Sequence, residues 1–471
     1  MDGGPGLEKL GTLIGGHVFL IEAWSLADPR RVPMNVQVIV KVDGREVADV
    51  RETVSTEDAL EFERHTEQVK DRVGRVVLEV GFQKTSEQLR RPCCCGRPMR
   101  NQGKRVVTVT SQSGPVAYER TRYRCRTCGA WQTPLDAVIC CGKHRITRLL
   151  ARNICQLATL EHFTRLEQLM LDQHGVQVGH DPMLNLVHDV GDAADQKRLA
   201  DVEFWNSQAP QQRTWPAAEV TPQRVYVSCD GIMYCTNQSE PDPQNPEENR
   251  LIWKQMRVGC VYWQDENDQW HKRVTWGQDE DFQTFGASLY RLACRCGYRE
   301  AEEKIYAADG ADWCWSIHQR YFADAHGVLD WYHASEHVWT CAKAVHSQHA
   351  QVTAWADQAL AHLRESGGVG LLNWLLDEVK RRRGRPREAI QKLINYVQPK
   401  LDRTDYAVYR DQDWQIGTGM IESTAKQLVG LRLKGPGMHW SIRGATAMTA
   451  LRAQDLNENW HNFWKNLTLA T

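Results

Sequence analysis

Residues 305–339, IYAADGADWCWSIHQRYFADAHGVLDWYHASEHVW, constrain the fold of this chain more tightly than any other stretch. A short apolar run at 305–308 ends on Asp309-Gly310, a Trp-rich segment of helical character follows, and a second short apolar run at 327–329 ends on Asp330. Two strands thus each deliver a carboxylate at their C-terminal ends, with a helix between them. Strand ends that present acids beside a Gly turn are where open α/β sheets do their chemistry.

The flanking sequence extends the pattern. Residues 224–234, RVYVSCDGIMY, form a β-branched run that places Asp230-Gly231 in a strand, and a polar, Pro-rich loop follows. Residues 251–263 and 269–276 read as two further strands joined by the turn DEND, and 279–298 as a helix stopped at Gly297. The order β-β-β-α-β-α-β is that of the RNase H fold, in which the first and fourth strands are neighbours and their acids meet. A third acid comes from 417–441, GTGMIESTAKQLVGLRLKGPGMHWS, where Glu422 sits early in a helix. Lys426, Arg432 and Lys434 lie farther along it and are expected to face phosphate. Asp, Asp and Glu are hard oxygen ligands suited to two Mg²⁺ (or Mn²⁺) ions about 3.5–4 Å apart.

Charge distribution points to DNA more than net charge does. The 471 residues carry a formal charge of −1, yet residues 84–126 hold eleven Lys/Arg against two acids, and residues 380–403 hold nine against two. The second block contains Lys380, Arg381, Arg382, Arg383, Arg385 and Arg387, candidate DNA contacts. Arg383-Gly384-Arg385-Pro386 is like the core of an AT-hook, although a basic turn between helices explains it better. Trp440, near Lys434, is a candidate for stacking on a base. Glu280 and its neighbours at 279–281 read as loop and cap residues. No apolar run reaches the roughly 20 residues that span a bilayer. Fifteen Cys without a basic leader argue for reduced thiols and metal ligands in the cytoplasm rather than for disulfides.

The chain is expected to divide into several modules. Residues 1–90 form an α/β module with a hairpin at Asp43-Gly44. Residues 91–142 form a zinc-ribbon-like module. Residues 143–200 form a helical, helix-turn-helix-like DNA-binding region, and 201–223 a linker. Residues 224–339 are the first part of the core, 340–415 an all-helical insertion, and 416–471 the C-terminal part of the core with the Glu422 helix. In the ribbon, Cys125-x-x-Cys128-Gly129 has the spacing of a structural zinc knuckle. Its counterpart, Cys93-Cys94-Cys95-Gly96, has no C-x-x-C pair. Cys93 with Cys95 is the expected second pair, with Cys140 or Cys141 as substitutes.

The motifs around Asp230 (CDG), Asp309 (ADGADWCWSIHQRYF), Asp330 (LDWYHASEHVW) and Glu422 resemble the DDE transposases of bacterial insertion sequences. They are most similar to the ISKra group, which is related to the Mutator-like transposases, and the resemblance covers about residues 90–455. It implies catalytic roles for Asp230, Asp309 and Glu422 and a supporting D-x-x-H pair, Asp330 and His333. It also implies a nucleoid-associated protein that binds terminal inverted repeats as a dimer or larger assembly, cleaves DNA strands and joins 3′-hydroxyls to target DNA. Pro92 stands where the family has the first Cys of the ribbon. The rival expectations are a structure-specific nuclease on the same fold and a zinc-containing DNA-binding protein without catalysis.

Overall fold

A computed structural model describes residues 9–14, 17–22, 34–54, 59–209, 212–245 and 247–469. Parts of the expected 1–90 module therefore lie outside the described residues. The chain divides into two compact units, residues 1–190 with 466–471, and residues 191–465.

In the first unit, Lys9–Ile14 (β1) pairs antiparallel with His17–Glu22 (β2), and Met34–Val42 (β3) with Arg45–Val54 (β4). Asp43 and Gly44 join β3 to β4 with φ of 53° and 75°, the two positive values a tight primed hairpin turn requires. The helix Ala59–Gln88 (α1) follows. Cys93–Cys94 (β5) and Arg97–Pro98 (β6) make a miniature hairpin beside the long ribbon Arg100–Ser111 (β7) and Gly114–Arg124 (β8). Trp131–Gln132 (β9), Pro134–Ile139 (α2), Cys140–Cys141 (β10) and His144–Thr147 (β11) complete a five-stranded sheet of order β10-β11-β7-β8-β9. Phe82, Val109, Val116, Tyr118, Leu135 and Ile139 form its buried cluster. Helices Arg148–Ala158 (α3) and Phe163–His174 (α4) follow, and Gly175 ends α4 in the left-handed conformation at φ 61°. The helix His180–Ser207 (α5) runs on from this unit into the next.

The second unit is built on one mixed sheet. Arg224–Pro241 (β12), Asn249–Gln264 (β13) and Trp270–Gln278 (β14) are antiparallel neighbours; Phe282–Arg295 (α6) leads to Glu303–Ala308 (β15), and Asp312–Tyr321 (α7) to His326–Leu329 (β16). The order is β14-β13-β12-β15-β16, with β15 parallel to both β12 and β16. Helices Trp331–Val345 (α8), His349–Glu378 (α9), Gly384–Val397 (α10) and Tyr406–Asp411 (α11) then form an all-helical segment in which α8, α9 and α10 pack together. Gly419–Ala425 (α12), a π-helical turn over Lys426–Gly430 and Leu431–Leu433 (α13) make one continuous helix, and Ile442–Leu456 (α14) and Trp460–Asn466 (α15) close the chain.

The stretch 201–223, expected as a linker, instead includes packed residues among those described. Trp205 is buried against Ala287 and lies 4.8 Å from Trp215, and the backbone N–H of Glu219 donates to the Arg295 carbonyl at 2.7 Å. Its tryptophans give it apolar surface that a solvated linker would leave in water. Glu280 lies in the loop between β14 and α6 as expected, and there it forms a largely buried ion pair with Arg198, which also bonds Asp195 at 2.9 Å. Asp281 does cap α6, accepting from the Thr284 N–H at 2.6 Å.

Candidate active site

Strand register brings the three strand-borne acids level. Ser228 pairs with Ala307 and Ala308 with Leu329, so Asp230, Asp309 and Asp330 lie one or two residues farther on; Asp309 and Asp330 follow the ends of β15 and β16, while Asp230 lies inside β12 just past its pairing with β15. Adjacent strands lie about 4.8 Å apart, and residues two apart along a strand share a face. Asp230 and Asp309 each fix one carboxylate oxygen locally. The Gly231 N–H donates to Asp230 Oδ1 at 2.6 Å, and the Ala311 N–H to Asp309 Oδ1 at 2.9 Å. The Trp315 indole donates to the Asp309 carbonyl at 2.6 Å, tying the turn to α7.

Glu422 arrives from α12, which packs on β12 and β13. Its charge and that of Asp309 both act on Asp230. Burial first, and then these two carboxylates, push the Asp230 carboxyl above its ordinary value, against the pull of the Gly231 N–H and His333. Among the described residues no Lys or Arg is paired with Asp230, Asp309 or Glu422. The site thus gathers negative charge and supplies no cation of its own.

Asp330 is held differently from Asp309. It is buried, caps α8 by accepting from the Tyr332 N–H at 2.9 Å, and accepts from the Thr418 hydroxyl at 2.5 Å. Thr418 Oγ1 is also 3.1 Å from Glu422 Oε1. A hydroxyl carries one proton, so the shorter contact to Asp330 takes it while the same oxygen sits beside Glu422. Sequence reasoning missed Thr418 as the link between the D-x-x-H helix and the Glu422 helix, because no periodicity encodes a contact across 88 positions. His333 lies one turn into α8, its ring centroid 5.0 Å from that of His337.

The π turn after Glu422 has a dedicated support. Buried Arg452 donates from Nε to the Gln427 and Leu428 carbonyls at 3.1 and 2.9 Å, satisfying backbone groups that the widened turn leaves available. Lys272 bonds the Gln427 side chain at 2.6 Å. The widened turn also rotates the residues beyond it. Lys426 and Lys434 are exposed, but Arg432, expected to face DNA, is buried at 3% exposure with its guanidinium 4.9 Å from the Trp440 ring. Trp440, expected to be exposed, is buried too.

In the second basic block, Lys380 pairs with Asp377, and Arg381 and Arg382 with buried Glu378. Arg383, Arg385 and Arg387 are exposed. Gly384, Arg385 and Pro386 form the first turn of α10 rather than the extended backbone an AT-hook would need, and Pro is at home in a first turn.

The thiol cluster corrects the expected zinc ligands by one residue. Cys94, Cys95, Cys125 and Cys128 bring their sulfurs within 4.8 Å of one another, and Cys93 does not belong to the group. Cys95 and Gly96, at φ 49° and 71°, make a two-residue hairpin turn. Neighbours in a strand point to opposite faces, so the turn sets Cys94 and Cys95 toward the knuckle and leaves Cys93 exposed. Cys140 and Cys141 are buried elsewhere; Cys140 lies 3.6 Å from the Tyr118 hydroxyl. Backbone N–H groups of Cys128 and Thr127 lower the Cys125 thiol to about 6, while hydrogen bonding with Cys128 pushes Cys94 up to about 12. Four converging thiols are the donor set of a structural zinc site.

No protein-family model matches this chain, and no curated protein does. Among solved structures it is similar to the Drosophila P element transposase strand transfer complex, with 8% identity and a TM-score of 0.30 over 65% of this chain and 92% of that one. So distant a likeness carries no argument about this chain. Among the described residues, no helix is long and apolar enough to cross a membrane.

Proposed function

We propose that the chain is a DNA transposase with an RNase H-like core, whose active site is formed by Asp230, Asp309 and Glu422. The observation that carries this reading is their convergence: level positions inside β12 and just past β15, with one helix, bring three carboxylates together, and burial and mutual repulsion disfavour the charge on Asp230. Acids held together without a cationic side chain fit divalent cations. Bound there, Mg²⁺ or Mn²⁺ would activate the attacking oxygen and stabilise the leaving one.

The chain's own residues do the positioning. The Gly231 and Ala311 N–H groups each fix one oxygen of their carboxylate and leave the other for a ligand. Thr418 donates to Asp330 and sits beside the Glu422 carboxylate, linking the start of α8 to the Glu422 helix. Exposed Lys426, Lys434, Arg383, Arg385 and Arg387 offer phosphate contacts. The thiol quartet, loaded with zinc, would brace the basic β7–β8 ribbon for contact with transposon ends. Water attacking a backbone phosphate would release a 3′-hydroxyl, and that hydroxyl attacking a target phosphate would release the target's own 3′-oxygen. One site serves both steps.

The test is a plasmid carrying the gene with its flanking DNA, incubated with the full chain, Mg²⁺ and a target plasmid. Wild type should nick and join; Asp230→Asn, Asp309→Asn and Glu422→Gln should each bind DNA yet do neither. Cutting without joining, even of supplied pre-cut ends, would favour a nuclease. Near-normal joining by any of the three variants would overturn the assignment.

A further inference from the structure

Tyr396, in the last turn of α10, brings the all-helical segment to the acidic cluster. Its ring stacks on the His337 imidazole with centroids 3.8 Å apart, and the Lys400 ammonium lies 4.2 Å from the ring centre. The edge of the ring meets the Asp309-Gly310 turn so closely that a Cβ on Gly310 would lie 2.9 Å from Tyr396 Cε2 and 3.1 Å from its hydroxyl. Gly310 is thus required for Tyr396 to reach Asp309. The hydroxyl is buried and, among the described residues, has no hydrogen-bond partner. Buried hydroxyls are almost always satisfied, and one that is not calls for an explanation. Phenylalanine would fill the same volume and stack on His337 without stranding a polar atom.

A substrate resolves the mismatch. The phenol hydroxyl carries one proton that it can donate to an acceptor. A phosphodiester at the acidic cluster would bring acceptor oxygens beside Asp309, and a small shift of the Asp309-Gly310 turn or of the ring would open the buried hydroxyl to them. We propose that the Tyr396 hydroxyl donates a hydrogen bond to a non-bridging oxygen of the scissile DNA phosphate, making the helical segment a contributor to the active site. This rests on the reading of Asp230, Asp309 and Glu422 as the reaction centre. Such a donor stabilises charge on the phosphate as it builds toward the transition state.

The experiment compares wild type, Tyr396→Phe and Asp309→Asn as full chains on a supercoiled plasmid bearing the gene's flanking DNA. Nicking rate at saturating protein, DNA affinity in Ca²⁺ and melting temperature are measured for each. Tyr396→Phe should nick at least tenfold more slowly with unchanged DNA affinity and an unchanged or raised melting temperature, since it removes an unsatisfied group. A wild-type rate, or a slower rate that tracks lost affinity or a lowered melting temperature, would overturn the role of the hydroxyl while leaving the reaction centre intact. If Asp309→Asn nicks as fast as wild type, the reaction centre itself is misplaced and the proposal falls with it.

Discussion

Exchanging single cysteines tests the corrected thiol cluster at one-residue resolution. Zinc–thiolate bonds are about 2.3 Å long, so the edge of a tetrahedral four-sulfur site is about 3.8 Å. The Cys94 sulfur lies 3.8 Å from that of Cys95 and 3.5 Å from that of Cys128. The quartet therefore needs to expand by only a few tenths of an ångström to close on an ion. Cys94→Ser should leave three sulfurs and lower zinc affinity by more than the roughly 100-fold that outer-shell changes cost. Cys93→Ser should change nothing. Protein grown with zinc would be challenged with graded chelator and its metal counted by mass spectrometry, with X-ray absorption reporting the donors. Wild type and Cys93→Ser should hold one zinc with four sulfurs near 2.3 Å, and Cys94→Ser should lose it at low chelator. Affinity should also rise with pH, because binding demands thiolates and the Cys94 thiol is pushed well up by its hydrogen bond with Cys128. Zinc retained by Cys94→Ser and lost by Cys93→Ser would refute the turn geometry argued for Cys95-Gly96.

The carboxylate cluster and the core make further measurable claims. Because the Asp230 carboxyl is raised above its unfolded value, its ionised form opposes folding at neutral pH, and the penalty fades as pH falls through the folded value toward the ordinary one. Asp230→Asn should therefore raise the melting temperature at neutral pH while abolishing cleavage, and the gain should vanish in acid; a gain that persists below the ordinary carboxylate range would contradict the repulsion. Saturating Mg²⁺ should raise the wild-type melting temperature, by about 1.4 kcal/mol of stability for each tenfold excess over the dissociation constant, but not that of Asp309→Asn. Glu280→Ala leaves Arg198 buried with Asp195 as its remaining carboxylate and should cost about 3 kcal/mol in denaturant unfolding, near the low end for broken buried pairs. A loss under about 1 kcal/mol, the range of exposed pairs, would show that the pair is solvated.

The parts legible in the sequence were those written in local pattern. The runs at 305–308 and 327–329 are the ends of β15 and β16, and Asp43-Gly44 is a hairpin turn, because alternation and Gly chemistry act over a few residues. The placement of Asp309 after one strand and Asp330 after the next was also within reach, since each follows a short apolar run. What sequence did not reveal depends on contacts across long separations or on a break in period. Thr418 and Tyr396 reach Asp330 and Asp309 from positions 88 and 87 residues later. Arg432 looked exposed because helical spacing was assumed to run unbroken through Lys426. The cysteine pairing slipped by one because C-x-x-C spacing, absent at Cys93-Cys94-Cys95, gives no guide to which sulfurs a turn will set inward.

The widened turn at Lys426–Gly430 is a phase defect in an otherwise regular helix. It uncouples the half that carries Glu422 from the half that anchors Arg432 and Leu433 in the core, so each half keeps its own register. An α-helix of uniform pitch would have to trade one placement against the other. Anyone grafting this helix into another scaffold, or aligning it with a helix of even period, must treat it as two segments spliced at that turn and carry Arg452 along as the splint.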